Sequence, residues 1–218
     1  MEVMRNMTID TELFELGDII SFTLTTGEKV KAKAICETLN GMMFITVDCL
    51  KDEQEMFENP DRAETVDYEH SDLRKKLNGE IFESFPEEIK GRMVGIRVGQ
   101  TNCFDMLRIP TEREIFGENP YGKDEPVSVR RFYGMENRRE RITFQGSETY
   151  IWEWYWLQNK VEDSAFNFAY VGGSGCANCS GASDSLGVRL VFFLSKNPKT
   201  CTWQDSQLWQ VRLCVPPV

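Results

Sequence analysis

The sequence predicts a single α+β domain, and three observations carry that prediction. Apolar and polar residues alternate in the N-terminal quarter, helical spacing with capping residues follows, and strand-like runs return after Gly146. Strands and helices that are segregated along a chain are typical of α+β folds. The 218 residues are enough for one large core, and no linker or internal repeat divides them, so the predicted domain is 1–218.

The segment of about 18–50 is predicted to form an N-terminal β-meander, because its residues alternate in polarity as strands with one buried face do. The first turn signal is Thr26 with Gly27. The second is Asn40 with Gly41, a pair typical of tight hairpins. Two turns divide the segment into about three strands.

Helical spacing begins after Ser71, the predicted N-cap of a first helix. A second short helix is predicted from a capping box of Ser84 and Glu87. A third is predicted from the capping box that begins at Thr111, and it should end near Gly117. Each of these helices is expected to be short.

Further strands are expected after the first helices and again in the C-terminal half, where apolar and aromatic residues form short runs. The predicted strands are 93–99, 104–109, 149–157, 165–171 and 188–194.

Two charged segments are predicted to be loops. Segment 51–67 has no periodic pattern and is broken at Asn59 and Pro60. Segment 120–146 is rich in turn residues and contains the basic run RRFYGMENRRER. The arginines of this run are expected to pair with nearby glutamates on a solvated surface.

The composition argues against several partners. A net charge of −10 does not suit nucleic acid or an anionic membrane surface. No apolar stretch is long enough to span a membrane, and the N-terminus lacks the pattern of an export signal. We therefore expect no nucleic acid, no membrane insertion, synthesis in the cytoplasm, and seven cysteines that are free thiols.

The sequence offers no set of catalytic residues. The single histidine, His70, directly precedes a helix cap and has no nucleophile or carboxylate at a telling spacing. Cys176 and Cys179 form a CxxC, but a second ligand pair for zinc is missing and no helix follows, as a redox motif requires. We predict an incidental pair in a turn, no enzyme activity, no metal and no cofactor.

The aromatic run YIWEWYW allows two interpretations. Trp152, Trp154 and Trp156 alternate with other residues, so they are predicted to share one face of a strand. Core packing is favoured, because aromatic side chains dominate cores. The alternative is an exposed stacking surface for a sugar or a partner.

Four motifs occur in order, each modest alone. They are SDLRKKLN (71–78), FDMLRIPTEREIFG (104–117), YWL (155–157) and LGVRLVFFL (186–194). Together, over roughly residues 10–195, they resemble a family of uncharacterised proteins from gut bacteria and their phages. The chain departs from the family's pattern at Gln158, Asn159 and Leu190, where the family has Arg, Ser and Pro, and the tail 196–218 has no counterpart.

The resemblance implies a C-type-lectin-like fold, of the variant found in formylglycine-generating enzymes and in the variable proteins of diversity-generating retroelements. Such a fold has a twisted antiparallel sheet, flanking helices and a ligand face near the C-terminus. It implies a ligand-display region at about 155–195. It also implies that Arg189 is buried beside a carboxylate partner.

The resemblance predicts a non-enzymatic protein that binds an unknown protein or glycan receptor, associated with a phage or prophage and present as a monomer or an oligomer. Retroelement diversification of 159–184 would fit the absence of Lys, Glu, Gln, Met and Trp from 163–195. The predicted ligand contacts are Trp154, Asn159, Asp163, Ser164, Asn167, Tyr170, Ser174, Cys176, Asn178, Cys179, Ser183 and Asp184.

Two alternatives stay open beside this prediction. One is a structural component of a virion or its tail. The other is a copper-dependent oxidoreductase of the formylglycine-generating type, in which Cys176 and Cys179 would hold the metal, although the family separates its cysteines by a different spacing.

Overall fold

The computed structural model describes residues 14–97, 104–123 and 129–196. Its elements are mostly antiparallel strands, accompanied by helices of no more than five residues. The chain is therefore a sheet-rich α+β protein, as the order of sequence patterns predicts.

The largest sheet has four antiparallel strands. The first three are β1 (Ile19–Thr23), β2 (Lys29–Thr38) and β3 (Gly41–Thr46), which form the predicted meander. The turn before β2 has Gly27 at φ +89°, a conformation that suits glycine. Strand β11 (Val191–Ser195) pairs with β3, so the order is β1-β2-β3-β11. The C-terminal part of the described chain thus completes the N-terminal meander.

The remaining strands form three smaller sheets. Two are two-stranded ladders: β4 (Gln54–Glu55) with β10 (Ser185–Leu186), and β5 (Thr143–Phe144) with β6 (Trp152–Glu153). The third is three-stranded, in the order β7-β8-β9, with β7 (Tyr155–Lys160), β8 (Asn167–Val171) and β9 (Ala177–Gly181).

The helices are α1 (Asp72–Lys76), α2 (Glu87–Lys90) and α3 (Glu112–Phe116), and α1 continues as a π-helical turn, Leu77–Ile81. The Ser71 hydroxyl accepts a hydrogen bond from Arg74 N, as its predicted N-cap role requires. At α3 both bonds of the predicted capping box between Thr111 and Glu114 are present.

Three local predictions are wrong. Pro86, not Ser84, is the N-cap of α2, and the Ser84 hydroxyl donates to the Ile81 carbonyl at the end of the preceding turn. Segments 93–99 and 104–109 supply isolated bridges rather than strands in their described parts. Ser84 lies two residues before the N-cap of α2, and its backbone N–H donates to the carbonyl oxygens of Glu80 and Ile81, so it belongs to the end of the preceding turn.

Two predictions about side-chain chemistry need correction. The pairing of the basic run with glutamates is wrong for Arg138 and Arg141, whose guanidinium groups donate to the carbonyl oxygens of Ser174 and Met135. The prediction that all cysteines are free thiols is wrong, because Cys36 is disulfide-bonded.

The core consists of two clusters that lie on opposite faces of the four-stranded sheet. Alternate residues of β3 divide between them, since Phe44 belongs to one cluster and Ile45 to the other. The first cluster includes Leu73 and Leu77, which follow Ser71 at helical spacing, and the second includes Ile115 of α3. Both faces of the central strands are therefore buried.

Ion pairs and hydrogen bonds to the Asn78 side-chain amide fix the chain between α1 and α3. The Arg74 guanidinium binds the Asp105 carboxylate at 2.7 Å, and the Asn78 side-chain oxygen accepts from the backbone N–H of Met106 at 2.8 Å. The buried guanidinium of Arg108 forms an ion pair with the buried carboxylate of Glu114, at a nitrogen–oxygen distance of 2.6 Å. The first two motifs of the resemblance thus contain residues that hold the fold together.

Among the described residues, no helix is long and apolar enough to cross a membrane.

Candidate functional site

Four aromatic side chains form one continuous surface beside the three-stranded sheet: Phe144, Tyr150, Trp152 and Trp154, here called the aromatic surface. Tyr150, Trp152 and Trp154 are 91%, 65% and 49% exposed. Phe144 is half-buried and pairs with Trp152 across the β5–β6 ladder. Large exposed apolar patches on proteins mark binding surfaces.

Ring contacts hold this surface in place. The Tyr150 ring meets the Phe144 ring edge-on, with centroids 6.4 Å apart. The Trp154 indole stacks on the buried ring of Tyr170, with centroids 5.5 Å apart and planes 18° from parallel. Because Tyr170 is fixed in the core, one face of Trp154 is supported while the other side of the residue is exposed.

The hairpin loop 172–176, between β8 and β9, lies against the two indoles. A Cβ atom on Gly173 would stand 3.2 Å from Trp154 Nε1 and 3.7 Å from Trp152 Cε3. Gly175 has φ +74°, and a Cβ atom there would stand 2.7 Å from the Arg138 carbonyl oxygen. Gly175 is therefore required by close approach and by backbone conformation, whereas a side chain at Gly173 would press on the Trp154 indole.

The three tryptophans do not share one environment. Trp156 is fully buried, and its indole N–H donates to the Gln54 carbonyl at 2.8 Å, whereas Trp152 and Trp154 are exposed. The chain leaves regular strand geometry at Trp154, between β6 and β7. Core packing is therefore confirmed for Trp156 and is wrong for Trp152 and Trp154, which are exposed, and a stacking role for these two stays a prediction.

Trp154, Ser174, Cys176 and Asn178 lie at or near the loop end of the three-stranded sheet. Ser174, Cys176 and Asn178 are exposed, and Asn178 pairs in register with Tyr170, the residue beneath Trp154. We call this region, together with the aromatic surface, the aromatic end.

Five other predicted contacts lie at the opposite end of the same sheet, here called the polar end. They are Asp163, Ser164, Asn167, Ser183 and Asp184, in the turns on either side of the hairpin or, for Asn167, at the start of β8. Strand β8 separates the two ends by about 13 Å, given a rise of about 3.3 Å per residue. Nine of the twelve predicted contacts therefore form two groups, and a tenth, Tyr170, is buried.

Hydrogen bonds already occupy several side chains of the polar end and its neighbours. The Ser164 hydroxyl accepts from Asn167 N at 3.0 Å, and Asp184 accepts from Gly181 N at 3.1 Å. The Asn159 side-chain oxygen accepts from the first backbone N–H of α3, on Glu112, at 2.7 Å. These contacts give the three side chains a role within the fold, and their part in ligand binding stays a prediction.

Cys176 is the last residue of the loop 172–176, and Cys179 lies in β9, opposite Ala169 of β8. The prediction that the pair lies in a turn is therefore wrong for Cys179. Both thiols are free, so the two cysteines are not bonded to each other. Joint metal binding by the pair stays an alternative.

A buried polar cluster lies beneath the aromatic surface. The Glu153 carboxylate accepts from Trp154 N at 2.8 Å, and its Cγ occupies the space that a side chain on Gly187 would need. Burial raises the pKa of Glu153 to about 7, with a further contribution from the neighbouring carboxylate of Glu53. Burial likewise raises the pKa of the Cys49 thiol to about 12, so that thiol is unreactive at neutral pH.

Arg189 is buried, as the resemblance implies, but its hydrogen bonds do not go to a carboxylate. Its guanidinium donates to the carbonyl oxygens of Thr46 at 2.7 Å and Glu140 at 3.2 Å, and to the Tyr155 hydroxyl at 3.3 Å. Carbonyl dipoles and the Tyr155 ring, 5.4 Å from the guanidinium carbon, surround its charge.

Sequence reasoning missed Phe144, Tyr150 and Trp152 as surface residues. The aromatic run YIWEWYW contains two of them, Tyr150 and Trp152. The alternation of residues in the run does not show that the strand breaks at Trp154 and leaves them exposed. Within the described residues, no three His, Cys, Asp or Glu side chains cluster as metal ligands would.

The described part of the chain is thus a sheet-rich α+β domain that exposes an aromatic surface beside a glycine-rich hairpin loop. The chain belongs to a family of domains of unknown function, DUF6273, whose model matches residues 40–196. No curated protein matches the chain significantly, and neither does any solved structure. The matched segment contains the whole candidate site.

Proposed function

We propose that this protein is a non-enzymatic binding protein that contacts its receptor through the aromatic surface and the loop 172–176. The observation that carries the proposal is the pair of exposed indoles, Trp152 and Trp154, side by side against Gly173. Exposed tryptophan is unfavourable in water, and tryptophan is among the residues that contribute most to protein interfaces.

The composition of the site favours a protein receptor. Rigid Trp and Tyr side chains stand beside a loop of Gly, Ser and Cys, followed by Asn178, and Arg138 is bonded to Ser174 at the edge of this loop. Recognition loops of binding proteins combine rigid aromatic anchors with small polar residues in the same way. A glycan receptor is the other outcome that the experiment distinguishes.

We further propose a C-type-lectin-like architecture with association to phage, and diversification within 159–184. The order of the four motifs supports the first two proposals. The hairpin β8–β9 supports the third, because its loop projects from a strand that both core clusters hold: Phe168 and Val171 are fully buried, one in each cluster, while Ser174 is exposed. Such an arrangement separates variable surface from fixed core.

The test uses fluorescently labelled full-length protein on intact cells from a panel of gut bacteria, measured by flow cytometry. We expect Trp152→Ala and Trp154→Ala to lower the apparent affinity at least about tenfold, as loss of an interface anchor does. Leu39→Ala is the matched control, because Leu39 is 90% exposed in the turn between β2 and β3, away from the aromatic surface.

Proteinase treatment of the cells should abolish staining, whereas periodate oxidation of their glycans should not. Loss of staining with periodate alone would make the receptor a glycan. Unchanged staining by both tryptophan variants, or no staining by the wild-type protein on any strain, would contradict the proposed function.

A further inference from the structure

Strand β9 is an outer strand of the three-stranded sheet, since the order is β7-β8-β9. Its ladder with β8 is antiparallel, and bonds from Gly172 N to Cys176 O and from Ala182 N to Phe166 O fix which residues face β8. Bonded positions alternate in such a ladder. The N–H groups of Ala177, Cys179 and Gly181 therefore point outward, away from β8.

This edge lacks the usual features that prevent two sheets from joining. The sequence of β9, ANCSG, contains no proline and no charged residue, and its register with β8 runs without a bulge. Its side chains are small, so a second strand could approach closely. An edge of this kind is a template for pairing with an extended strand of another chain.

Two side chains nevertheless accept hydrogen bonds from two of these three outward N–H groups, those of Cys179 and Gly181. The Asn178 side-chain oxygen accepts from Cys179 N at 2.9 Å, and the Asp184 carboxylate accepts from Gly181 N at 3.1 Å. The Asp184 backbone N–H also donates to the Gly181 carbonyl at 3.0 Å, and the Ser180 hydroxyl donates to the Asp184 carboxylate. The backbone N–H and the carbonyl oxygen of Gly181 are thus both hydrogen-bonded to Asp184 within one turn.

We propose that Asn178 and Asp184 close the β9 edge against strand addition, and that the partner they exclude is an extended strand, above all the same edge of a second copy of this chain. A side-chain oxygen that accepts an outward N–H competes with the carbonyl of an incoming strand for the same donor.

This inference does not depend on the proposed function. It gives Asn178 and Asp184, both predicted ligand contacts, a specific task in the free protein. It also sets a limit on variation in the hairpin, because a substitution that removes either acceptor opens the edge.

The test compares wild type with Asn178→Ala, Asp184→Ala and the double variant. We expect exchange of the Cys179 and Gly181 amide hydrogens, followed by NMR, to speed up at least tenfold where the acceptor is removed. We expect the double variant, in light scattering from micromolar to millimolar concentration, to shift its association at least tenfold toward the larger species.

Conservative substitutions serve as controls. Asn178→Asp and Asp184→Asn keep an acceptor oxygen and should retain slow amide exchange and the wild-type mass, and Ser183→Ala changes an exposed neighbour only. Amide exchange as slow in the alanine variants as in wild type would overturn the proposal. A double variant with wild-type association and rapid amide exchange would overturn it as well, because the open edge would then attract no partner.

Discussion

The two ends of the three-stranded sheet differ in how far their side chains interact within the protein itself. At the polar end, the acceptors of Ser164 and Asp184 are bonded within their own turns. At the aromatic end, Trp152 and Trp154 pack one side against Gly173 or Tyr170 and leave much of their surface exposed. At the polar end these acceptors already have hydrogen-bond donors, whereas the aromatic end has exposed apolar surface that a binding partner would cover.

This difference teaches that residue type alone is a poor guide to a binding surface. Small polar residues such as Ser183 and Asp184 are exposed at no cost, because water bonds them as well as a ligand would. Exposed indoles lose hydrophobic free energy in the unbound state, so they are better evidence for a partner. The following predictions test this distinction.

The largest effect should separate the buried indole from an exposed one. Trp156→Ala removes a fully buried side chain and its hydrogen bond to the Gln54 carbonyl. We expect the free energy of unfolding to fall by about 3–5 kcal/mol, whereas Trp152→Ala should cost about 0.5 kcal/mol or less. Urea denaturation measures both, and similar losses in the two variants would mean that Trp152 is a core residue.

A pair of glycines tests whether the loop at the aromatic end is more constrained than the turn at the polar end. Gly175 has φ +74° and stands too close to the Arg138 carbonyl for a Cβ atom, while a Cβ atom on Gly181 would make an ordinary contact with Asp184. We expect Gly175→Ala to lower the free energy of unfolding by about 1–3 kcal/mol. Gly181→Ala should change it by less than about 1 kcal/mol.

Glu153, beneath the aromatic end, should make the stability depend on pH. Its pKa is raised from 4.5 to about 7, first by burial. Between these values the folded protein binds more protons than the unfolded chain, so the free energy of unfolding falls as pH rises through this window. We expect Glu153→Gln to be more stable than wild type by on the order of 1–2 kcal/mol at pH 8, and to lose this advantage at pH 4.

Urea denaturation at several pH values measures this effect. Glu162→Gln, an exposed carboxylate in the turn at the polar end, is the control and should leave the pH profile unchanged. A Glu153→Gln profile parallel to that of wild type would show that Glu153 is ionised at neutral pH in the folded protein.

Local signals were reliable where one turn or cap determines the outcome. The Asn40 and Gly41 hairpin and the Thr111 capping box predicted β3 and α3 because their hydrogen bonds involve neighbouring residues only. The Ser84 box failed because α2 begins only at Glu87, and the Ser84 backbone N–H is bonded to the carbonyls at the end of the preceding turn. The joining of β11 to β3 depends on distant residues and had no local signal.

The candidate site was harder to predict, because burial and strand breaks are tertiary properties. The sequence of β9 has low strand propensity and forms a strand because β8 supplies its ladder. The break at Trp154 divides one aromatic run into a core residue and two surface residues. Alternation gave the common face of the tryptophans but could not show where that face meets solvent.

The smallest effect is expected from the two cysteines of the hairpin. Their thiols are free, and Cys176 is exposed in the loop while Cys179 is half-buried in β9, so Cys176→Ser and Cys179→Ser should each change the free energy of unfolding by about 0.5 kcal/mol or less. We expect copper(I) titration to give the same weak binding for Cys176→Ser as for wild type, and EDTA to leave the melting temperature unchanged. Tight copper binding that Cys176→Ser abolishes would instead favour the copper-dependent oxidoreductase. It would make the aromatic end a surface for substrate rather than for a receptor.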